Sequence, residues 1–281
     1  MSKKKAMFFK QSGGGSSYLL DTYSAESAYS FRKVKSDALY SCEIRRVSDN
    51  ALASVELEDT GQISLSSTIN LGGTLGAWIG SDDGLLNKWY DQSGNSRDFT
   101  NSTSDWWSII TAGVLNTNTD SHISVYLQGG SREYITSGTA LNINGEFLEI
   151  MILDTDDDIA ATNTVNRLNE NNYFGLLAPD VGTPADSGVT TSSYYANGTI
   201  LTPNDRNQLK IGWSDPVGAI LATLKIEYPY TVDTLTIGYN LSVGSFSYIG
   251  YMTEVILFDV SETANQSDIE SAINDEYEIY I

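Results

Sequence analysis

An aromatic pair beside a carboxylate is the first group of side chains in this sequence whose types could bind a ligand. Trp106 and Trp107 follow directly after Asp105. The C–H faces of a sugar ring stack on indole, and a carboxylate accepts hydrogen bonds from sugar hydroxyls. All three are therefore candidate glycan contacts, although burial in the core is the expectation for at least one of the two tryptophans.

The segment Trp89–Asn95 is a second group, because it joins two aromatic residues to turn-forming ones. Aspartate, serine, glycine and asparagine at this spacing suit a tight turn whose side chains bind backbone amides. A structural role is the first expectation. Because loops often carry binding residues, ligand contact is the alternative, through Trp89, Asp91, Gln92 and Asn95.

The densest acidic run, Asp154-Thr155-Asp156-Asp157-Asp158, is a third group. Calcium prefers several hard oxygen ligands, so Asp154, Asp156, Asp157 and Asp158 are candidate calcium ligands. The spacing differs from that of an EF-hand loop, since no glycine or terminal glutamate follows in register. The alternative is that this run is a solvated acidic loop without a metal. No cofactor other than calcium is expected for the chain.

Other kinds of site lack the residues that they need. His122 is the only histidine. The sequence therefore has too few histidines for a histidine-rich zinc site, and only one that could serve in a histidine-dependent catalytic triad. No glycine-rich phosphate loop or dinucleotide fingerprint is found in strand–helix context. Cys42 is the only cysteine, which excludes an intrachain disulfide framework, and its alternating apolar surroundings predict a small core residue.

Charge and hydropathy restrict the partners. The net charge is −20, so nucleic-acid phosphates would be repelled and no nucleic-acid partner is expected. No run approaches the roughly 20 apolar residues of a membrane span. Lys3–Lys5 resemble the start of a signal peptide, but the apolar stretch after them, Ala6–Phe9, is too short. We therefore expect synthesis in a cytoplasm without a signal peptide.

The chain divides into two parts at a Gly/Ser run. Residues 1–17 are basic and end in Gly13-Gly14-Gly15-Ser16-Ser17, which is typical of a flexible hinge. They predict an anchoring arm, with a simple tail as the alternative. Residues 18–281 are expected to form one domain, since β-sandwiches of this size commonly fold as a single unit.

Period-two alternation between turn residues predicts antiparallel strands over most of that domain. They are expected at 28–34, 42–47, 51–57, 84–90, 123–127, 133–135, 147–153, 209–213, 222–228, 235–239 and 249–258. Phe147–Leu153 is apolar except for Glu149, as in a strand buried on both faces. Asn197-Gly198 is the strongest hairpin signal. The expected fold is all-β, a two-sheet antiparallel jelly-roll sandwich.

Helices are expected in only two places. The apolar segment Leu75–Ile79 could form one or two helical turns. Near the C-terminus, a capping box with Ser267 as the N-cap is predicted by the pattern Ser267-Asp268-Ile269-Glu270. Ile269, Ile273 and Tyr277 then recur every four residues and form one apolar stripe. This short helix should pack on the sandwich.

Three stretches together resemble a known family. They are Ala28–Arg32 with Ile44–Asn50, Trp89–Asn95, and Ile237–Asn240 leading into Gly250–Ile256. They resemble the sandwich domain of family 54 α-L-arabinofuranosidases (arabinofuranosidase B) and related laminin-G-like domains of phage tail and head-fibre proteins. The resemblance covers roughly residues 19–281, with Trp89–Asn95 as its specific part, and it implies a concanavalin A-like fold.

The enzymes of that family imply hydrolysis by two carboxylates, one nucleophile and one acid/base. Their acid/base aspartate lies in a stretch that Gly238-Tyr239-Asn240 matches best, and asparagine cannot donate and retake a proton. Their double-cysteine motif is absent here. We therefore expect a chain that is not an enzyme, with Asn240 as a ligand contact. Glu254 and Asp91 are the carboxylates to test if it is a hydrolase.

The function expected from the sequence is that of a non-enzymatic phage surface protein: a spike, head fibre or tail-associated adhesin. Residues 1–17 would bind capsid or tail proteins, and the lectin-like domain would bind a host-surface glycan. A homo-oligomer such as a trimer would raise avidity. The expected location is the virion surface. The alternatives are an arabinofuranosidase-type glycoside hydrolase and an architectural capsid decoration protein.

Overall fold

A computed structural model describes most of the predicted sandwich domain. The described residues are 18–101, 107–128, 135–137, 143–155, 163–169, 172–177, 192–213, 218–232, 236–237, 248–258 and 260–280. The N-terminal segment predicted to anchor the protein, residues 1–17, lies outside them. The strand pairings among them are antiparallel, which confirms the predicted all-β sandwich.

Strands make up most of the regular structure. They are β1 Ala25–Ser30, β2 Tyr40–Arg46, β3 Leu52–Glu56, β4 Gly84–Trp89, β5 Phe99–Asn101, β6 Trp107–Thr111, β7 Val114–Leu115, β8 Val125–Gln128, β9 Ile135–Ser137, β10 Ile143–Thr155, β11 Asn163–Asn169, β12 Asn172–Leu177, β13 Ser192–Ala196, β14 Thr199–Leu201, β15 Ile220–Val232, β16 Thr236–Ile237 and β17 Ile249–Phe258. The helices are α1 Leu19–Thr22, α2 Leu75–Ile79, α3 Arg206–Trp213 and α4 Gln266–Tyr277, with a 3₁₀ turn at Val260–Asn265.

Strand β17 connects the two halves of the sandwich. One edge pairs with β10 along nearly its whole length. The other edge pairs with β8 near its start and with β1 near its end. From β8 the pairing continues through β6 and β4 to β2 and β3. From β10 it continues through β15 to β13 and β14.

Two apolar cores explain the continuous apolar run of β10. Phe147, Met151 and Leu153 belong to a large cluster, the inner core, which also takes buried residues from β2, β4, β6, β8 and β17. Leu148 and Ile150 alternate with them and belong to a second cluster, the outer core, which includes buried residues of α4. Both faces of β10 are therefore covered, as its sequence predicts.

Helix α4 carries the apolar stripe predicted for it. Ile269, Ile273 and Tyr277 are all buried in the outer core. The predicted capping box is wrong, because the helix begins at Gln266, directly after a 3₁₀ turn. Its N-cap residue, Asn265, makes no side-chain capping bond. The preceding turn already positions the chain, so Ser267 lies inside the helix.

One predicted strand is a helix. Residues 209–213 form the end of α3, in which Leu209 and Trp213 are both buried at a spacing of one helical turn. The Asp205 carboxylate accepts a hydrogen bond from the Gln208 amide at 2.8 Å and so caps the helix start. The predicted turn at Asn197-Gly198 is confirmed. It joins β13 to β14, with positive φ at both residues.

Within the described ranges, no helix is long and apolar enough to cross a membrane.

Candidate functional site

The turn at Trp89–Asn95 is held by the carboxylate of Asp91. Its Oδ1 accepts hydrogen bonds from the backbone amides of Ala28 and Ser93, both at 2.9 Å. Its Oδ2 accepts from the Ser93 hydroxyl at 2.8 Å and from the Arg97 amide at 3.0 Å. These donors occupy the carboxylate, so Asp91 shapes the turn and ties it to β1.

Gln92 continues the same attachment along β1. Its Nε2 donates to the carbonyl oxygens of Ser30 at 3.0 Å and Arg32 at 3.1 Å. Its Oε1 accepts from the Val34 amide at 3.0 Å, and its own amide donates to the Ala28 carbonyl at 2.8 Å. The side chain thus binds backbone groups at the end of β1 and in the residues that follow it.

The other described ligand candidates also make structural contacts. Trp89 and Trp107 are both 0% exposed, and Trp89 stacks on Phe31 with ring centroids 4.7 Å apart. Asn95 donates to the carbonyl oxygens of Ala25 and Glu26 at 3.1 and 3.0 Å. Because both indoles are enclosed, neither offers a face to a sugar. Asp105, Trp106 and Asn240 lie outside the described residues.

The acidic run is described only at its first two residues, Asp154 and Thr155. Asp154 is the second-last residue of β10, and its Oδ2 accepts hydrogen bonds from the Thr119 amide at 2.7 Å and the Thr119 hydroxyl at 2.6 Å. Asp156, Asp157 and Asp158 lie outside the described residues. In the part of the chain that is described, no cluster of three or more His, Cys, Asp or Glu side chains could hold a metal ion. The predicted calcium site therefore stays a prediction.

The single cysteine, Cys42, and the single histidine, His122, both pack against other side chains. Cys42 is fully buried in the inner core, which confirms the prediction, and burial raises the pKa of its thiol to about 12. The His122 ring lies edge-on to Tyr277, with centroids 5.0 Å apart.

A polar cavity of about 350 Å³, the polar pocket, lies where α4 meets the connection between β1 and β2. Four separate segments contribute to it. Its lining consists of Tyr18, Leu19, Arg32, Lys33, Glu58, Asp59, Thr60, Gly61, Ala272, Asp275 and Glu276. Four carboxylates, two cations and one tyrosine therefore surround a single cavity.

A buried ion pair with Glu254 fixes the position of Arg32, one of the two cations that line the pocket. Glu254 of β17 is 1% exposed and accepts from Arg32 Nε at 3.0 Å and Arg32 Nη2 at 3.1 Å. The same carboxylate accepts from the hydroxyls of Ser30 at 2.6 Å and Tyr277 at 3.0 Å. Burial, the largest single cause, acts to lower the pKa of Arg32, but the charge and hydrogen bond of Glu254 together with Tyr277 and Glu276 outweigh it, so the guanidinium pKa is raised. Arg32 is fixed in position as a permanent cation.

The rim of the pocket is built around Asp59. Its Oδ1 accepts from Lys33 Nζ at 2.8 Å, and this hydrogen bond holds the pKa of Asp59 below its usual value. Lys33 Nζ also lies 5.5 Å from the centre of the Tyr18 ring. Next to it, Glu58 Oε1 accepts from the hydroxyls of Ser67 at 2.5 Å and Ser64 at 3.2 Å. Asp59 therefore stays ionised at neutral pH.

This lining suits a ligand that carries many hydroxyl groups. Carboxylates accept hydrogen bonds from hydroxyls, Arg32 and Lys33 donate to ring and hydroxyl oxygens, and the Tyr18 ring offers an apolar face. Carboxylates grouped in one pocket are also the catalytic groups that glycoside hydrolases use. Asp275 and Glu276 come from α4, whereas Glu58 and Asp59 come from the loop after β3.

None of these lining residues was predicted as a site residue from the sequence. Glu254, singled out for catalysis, is instead the buried anchor of Arg32, and Asp91 shapes a turn. The lining carboxylates form two adjacent pairs, Glu58-Asp59 and Asp275-Glu276, which are far apart in the chain and share no spacing motif. The only available signal was that Asp275 and Glu276 fall on the polar side of the predicted C-terminal helix.

No family model matches the chain, and no curated protein matches it either. Solved structures do. One is a GH54 α-L-arabinofuranosidase soaked with a cyclic sulfate inhibitor, at TM-score 0.52 and 13% identity. Another is an arabinofuranosidase complexed with arabinofuranosyl-α-1,2-xylobiose, at 0.53 and 14%. A third is a glutamate-to-glutamine mutant of a GH54 α-L-arabinofuranosidase soaked with 4-nitrophenyl α-L-arabinofuranoside, at 0.51 and 14%.

Each of these matches covers 88% of this chain, whereas the chain spans 63%, 62% and 63% of the respective structures. At this identity the matches establish a shared β-sandwich fold. They contradict the prediction that the chain is not an enzyme, because the similar structures are glycoside hydrolases. That prediction relied on motif positions such as Asn240, which lies outside the described residues.

Proposed function

We propose that this chain is a glycoside hydrolase that acts on α-L-arabinofuranosides and holds its substrate in the polar pocket. The observation that supports the proposal is the cavity lining itself, with carboxylates, fixed cations and a tyrosine ring around about 350 Å³. The fold supports the same proposal, since it is shared with arabinofuranosidases over 88% of the chain. A furanoside is small, neutral and rich in hydroxyls, which matches this lining.

The residues of the pocket divide into groups with different tasks. Arg32, fixed by Glu254, and Lys33 donate hydrogen bonds to substrate oxygens. Asp59, kept ionised by Lys33, is suited to stabilising positive charge that develops at the anomeric carbon. Asp275 and Glu276 are exposed carboxylates of α4 and are suited to exchanging a proton with the leaving oxygen or with water.

Hydrolysis of 4-nitrophenyl α-L-arabinofuranoside tests the proposal. Glu58→Gln, Asp59→Asn, Asp275→Asn and Glu276→Gln should be compared with the wild type for kcat, KM and melting temperature. We expect at least one variant to lower kcat about 100-fold or more, as the loss of an acid/base or nucleophilic group does, with the melting temperature unchanged.

A matched control is available on the same helix. Asp268 is an exposed carboxylate in the first turn of α4 and is not one of the residues that line the pocket. Asp268→Asn should leave kcat and KM at wild-type values. The proposal fails if the wild type releases no 4-nitrophenol, or if none of the pocket variants is slower than Asp268→Asn.

A second proposal concerns where the domain is displayed. Residues 1–17 carry Lys3, Lys4, Lys5 and Lys10 before a Gly/Ser run, in a chain whose net charge is −20. Such a segment is suited to binding an acidic surface. We propose that it joins the domain, as a homo-oligomer, to phage capsid or tail proteins, so that host-surface glycan is bound at the virion surface. Deleting 1–17 should leave a folded protein that no longer joins particles, and normal incorporation would refute the idea.

A further inference from the structure

A second cavity, the tyrosine pocket, lies against the Trp89–Asn95 turn. It has a volume of about 240 Å³ and is lined by residues 37–40, 90–92 and 94. The rings of Tyr40 and Tyr90 have centroids 5.7 Å apart and are tilted by 39°. Both side chains are half-buried, and the neighbouring Leu39 is 59% exposed. The pocket therefore presents apolar surface outside both cores.

The Tyr90 ring is fixed in position before any ligand arrives. Its hydroxyl is hydrogen-bonded to the Ser54 hydroxyl at 2.8 Å, and the Ser54 amide donates to Asn70 Oδ1 at 2.9 Å. Lys88 Nζ lies 5.2 Å from the centre of the same ring. A preorganised ring loses little conformational entropy on binding, so a stacking ligand keeps more of its contact energy.

Polar groups stand at the edge of this apolar surface. Asp37 lines the pocket with its side chain 75% exposed, 3.8 Å from Lys35 Nζ. Lys35 Nζ in turn donates to the Ser93 carbonyl at 2.8 Å, which links it to the turn. An apolar face with a hydrogen-bonding edge is complementary to a sugar ring, whose C–H face stacks on aromatics while its hydroxyls point outward.

Charge and size restrict the ligand further. Asp37 and Asp91 line the pocket, while Lys35 and Lys88 lie at its edge, so the charges close to the pocket are balanced. The net charge of the chain is −20, so the protein as a whole would repel an acidic polysaccharide. A cavity of about 240 Å³ is smaller than most drug-sized sites, which suits one sugar unit at the end or side of a chain.

We infer that the tyrosine pocket is a glycan-binding subsite for a neutral sugar unit, separate from the polar pocket. The inference rests on the proposed carbohydrate function for its ligand class. The connection between β1 and β2 contributes Arg32 and Lys33 to the polar pocket and Asp37 and Leu39 to the tyrosine pocket. One polymeric substrate bound at both pockets would be held more tightly than a monomer, by effective concentration.

Affinity electrophoresis of the full chain through gels that contain soluble arabinoxylan tests the inference, with polygalacturonate gels as the acidic comparison. The wild type should be retarded by arabinoxylan and not by polygalacturonate. Tyr40→Ala/Tyr90→Ala should weaken arabinoxylan binding by about ten-fold or more. Tyr90→Phe, which keeps the ring, should bind within about three-fold of the wild type. Leu39→Ser, at an exposed position that cannot disturb the core, should also weaken binding.

The matched control is Tyr251→Ala, which removes a half-buried tyrosine from another ring pair, with Tyr126 at 4.7 Å. It should bind arabinoxylan like the wild type. The inference is overturned if the double variant and Leu39→Ser bind like the wild type, if Tyr251→Ala loses as much affinity, if the wild type is not retarded by arabinoxylan, or if polygalacturonate binds better.

Turnover separates this inference from the proposed function. Tyr40→Ala/Tyr90→Ala should hydrolyse 4-nitrophenyl α-L-arabinofuranoside at the wild-type rate, because neither tyrosine lines the polar pocket. Retention on arabinoxylan without any hydrolysis would refute the proposed function and leave the subsite intact. Hydrolysis without retention would refute the subsite alone.

Discussion

Two glutamates on the paired strands β10 and β17 are equally inaccessible to solvent, with exposures of 0% for Glu149 and 1% for Glu254. Glu254 accepts hydrogen bonds from Arg32, Ser30 and Tyr277 under the polar pocket. Glu149 extends into the inner core, where it lies in register with Leu224 and Leu257. Burial raises the pKa of Glu149 to about 8. Equal burial thus produces a compensated ion in one place and a neutral acid in the other.

This contrast separates the two roles that a carboxylate has in the sandwich. The pair of Glu254 and Arg32 fixes a cation beside the cavity where we propose that substrate binds. Glu149 fixes nothing at the surface, and at neutral pH it is mostly protonated, so its cost to stability depends on pH. Substitutions of Glu254 and of Glu149 should therefore change the free energy of unfolding by different amounts. They should also differ in the pH dependence of that change and in their effect on turnover.

The largest effect is expected from Glu254→Gln. Removing one partner of a buried ion pair leaves the Arg32 charge uncompensated, so the free energy of unfolding should fall by about 3–5 kcal/mol. Urea unfolding at pH 7 measures this. Arg32→Met/Glu254→Met should be less destabilised than the sum of the two single changes. A Glu254→Gln protein with wild-type stability and no hydrolysis would show that Glu254 is catalytic rather than structural.

The next effect is the pH dependence caused by Glu149. Its pKa is about 8 in the folded protein and near the ordinary 4.5 when unfolded. Between these values the unfolded state binds fewer protons, so stability falls as pH rises from 4.5 to 8 and levels off above that. Glu149→Gln removes this titration. Relative to the wild type, it should gain about 3–4 kcal/mol between pH 5 and pH 8 in urea unfolding.

A difference between the two proteins that stays constant with pH would contradict the assignment of a neutral acid in the inner core. Glu146→Gln is a matched control, because this glutamate lies on the same strand and is only half-buried. At pH 8 its free energy of unfolding should stay closer to that of the wild type than that of Glu149→Gln does.

The smallest effect is expected from Tyr277→Phe. This change removes one hydroxyl that donates to Glu254 at 3.0 Å and leaves the ring that packs in the outer core. Since Ser30 and Arg32 still satisfy the carboxylate, the loss should be about 1–1.5 kcal/mol. Thermal unfolding measures it. A loss as large as that of Glu254→Gln would mean that the cluster depends on Tyr277 more than on the ion pair.

Much of the fold could be predicted from the sequence, because it depends on local patterns. Alternating residues predicted β4, the long apolar run predicted the doubly buried β10, and Asn197-Gly198 predicted its hairpin. The failure at residues 209–213 has a physical cause. A short segment with two buried apolar residues fits a strand or a helix, and only the Asp205 cap and tertiary packing decide between them.

The candidate site could not be predicted in the same way. Its lining comes from residues near 18, 32, 58 and 275, which only the folded chain brings together. The residues that did stand out, Trp89 and Asp91, did so because a tight turn and a buried stack need particular residue types. In this chain the conspicuous motif, Trp89–Asn95, stabilises the fold. The polar pocket is lined instead by residues that belong to no sequence motif.

The most direct test of the proposed function is a crystal structure of the Glu276→Gln protein soaked with 4-nitrophenyl α-L-arabinofuranoside. We predict density for the furanose ring in the polar pocket, within hydrogen-bonding distance of Asp59 and of Arg32 or Lys33. A furanose bound at another cavity, with the polar pocket holding only solvent, would contradict the account.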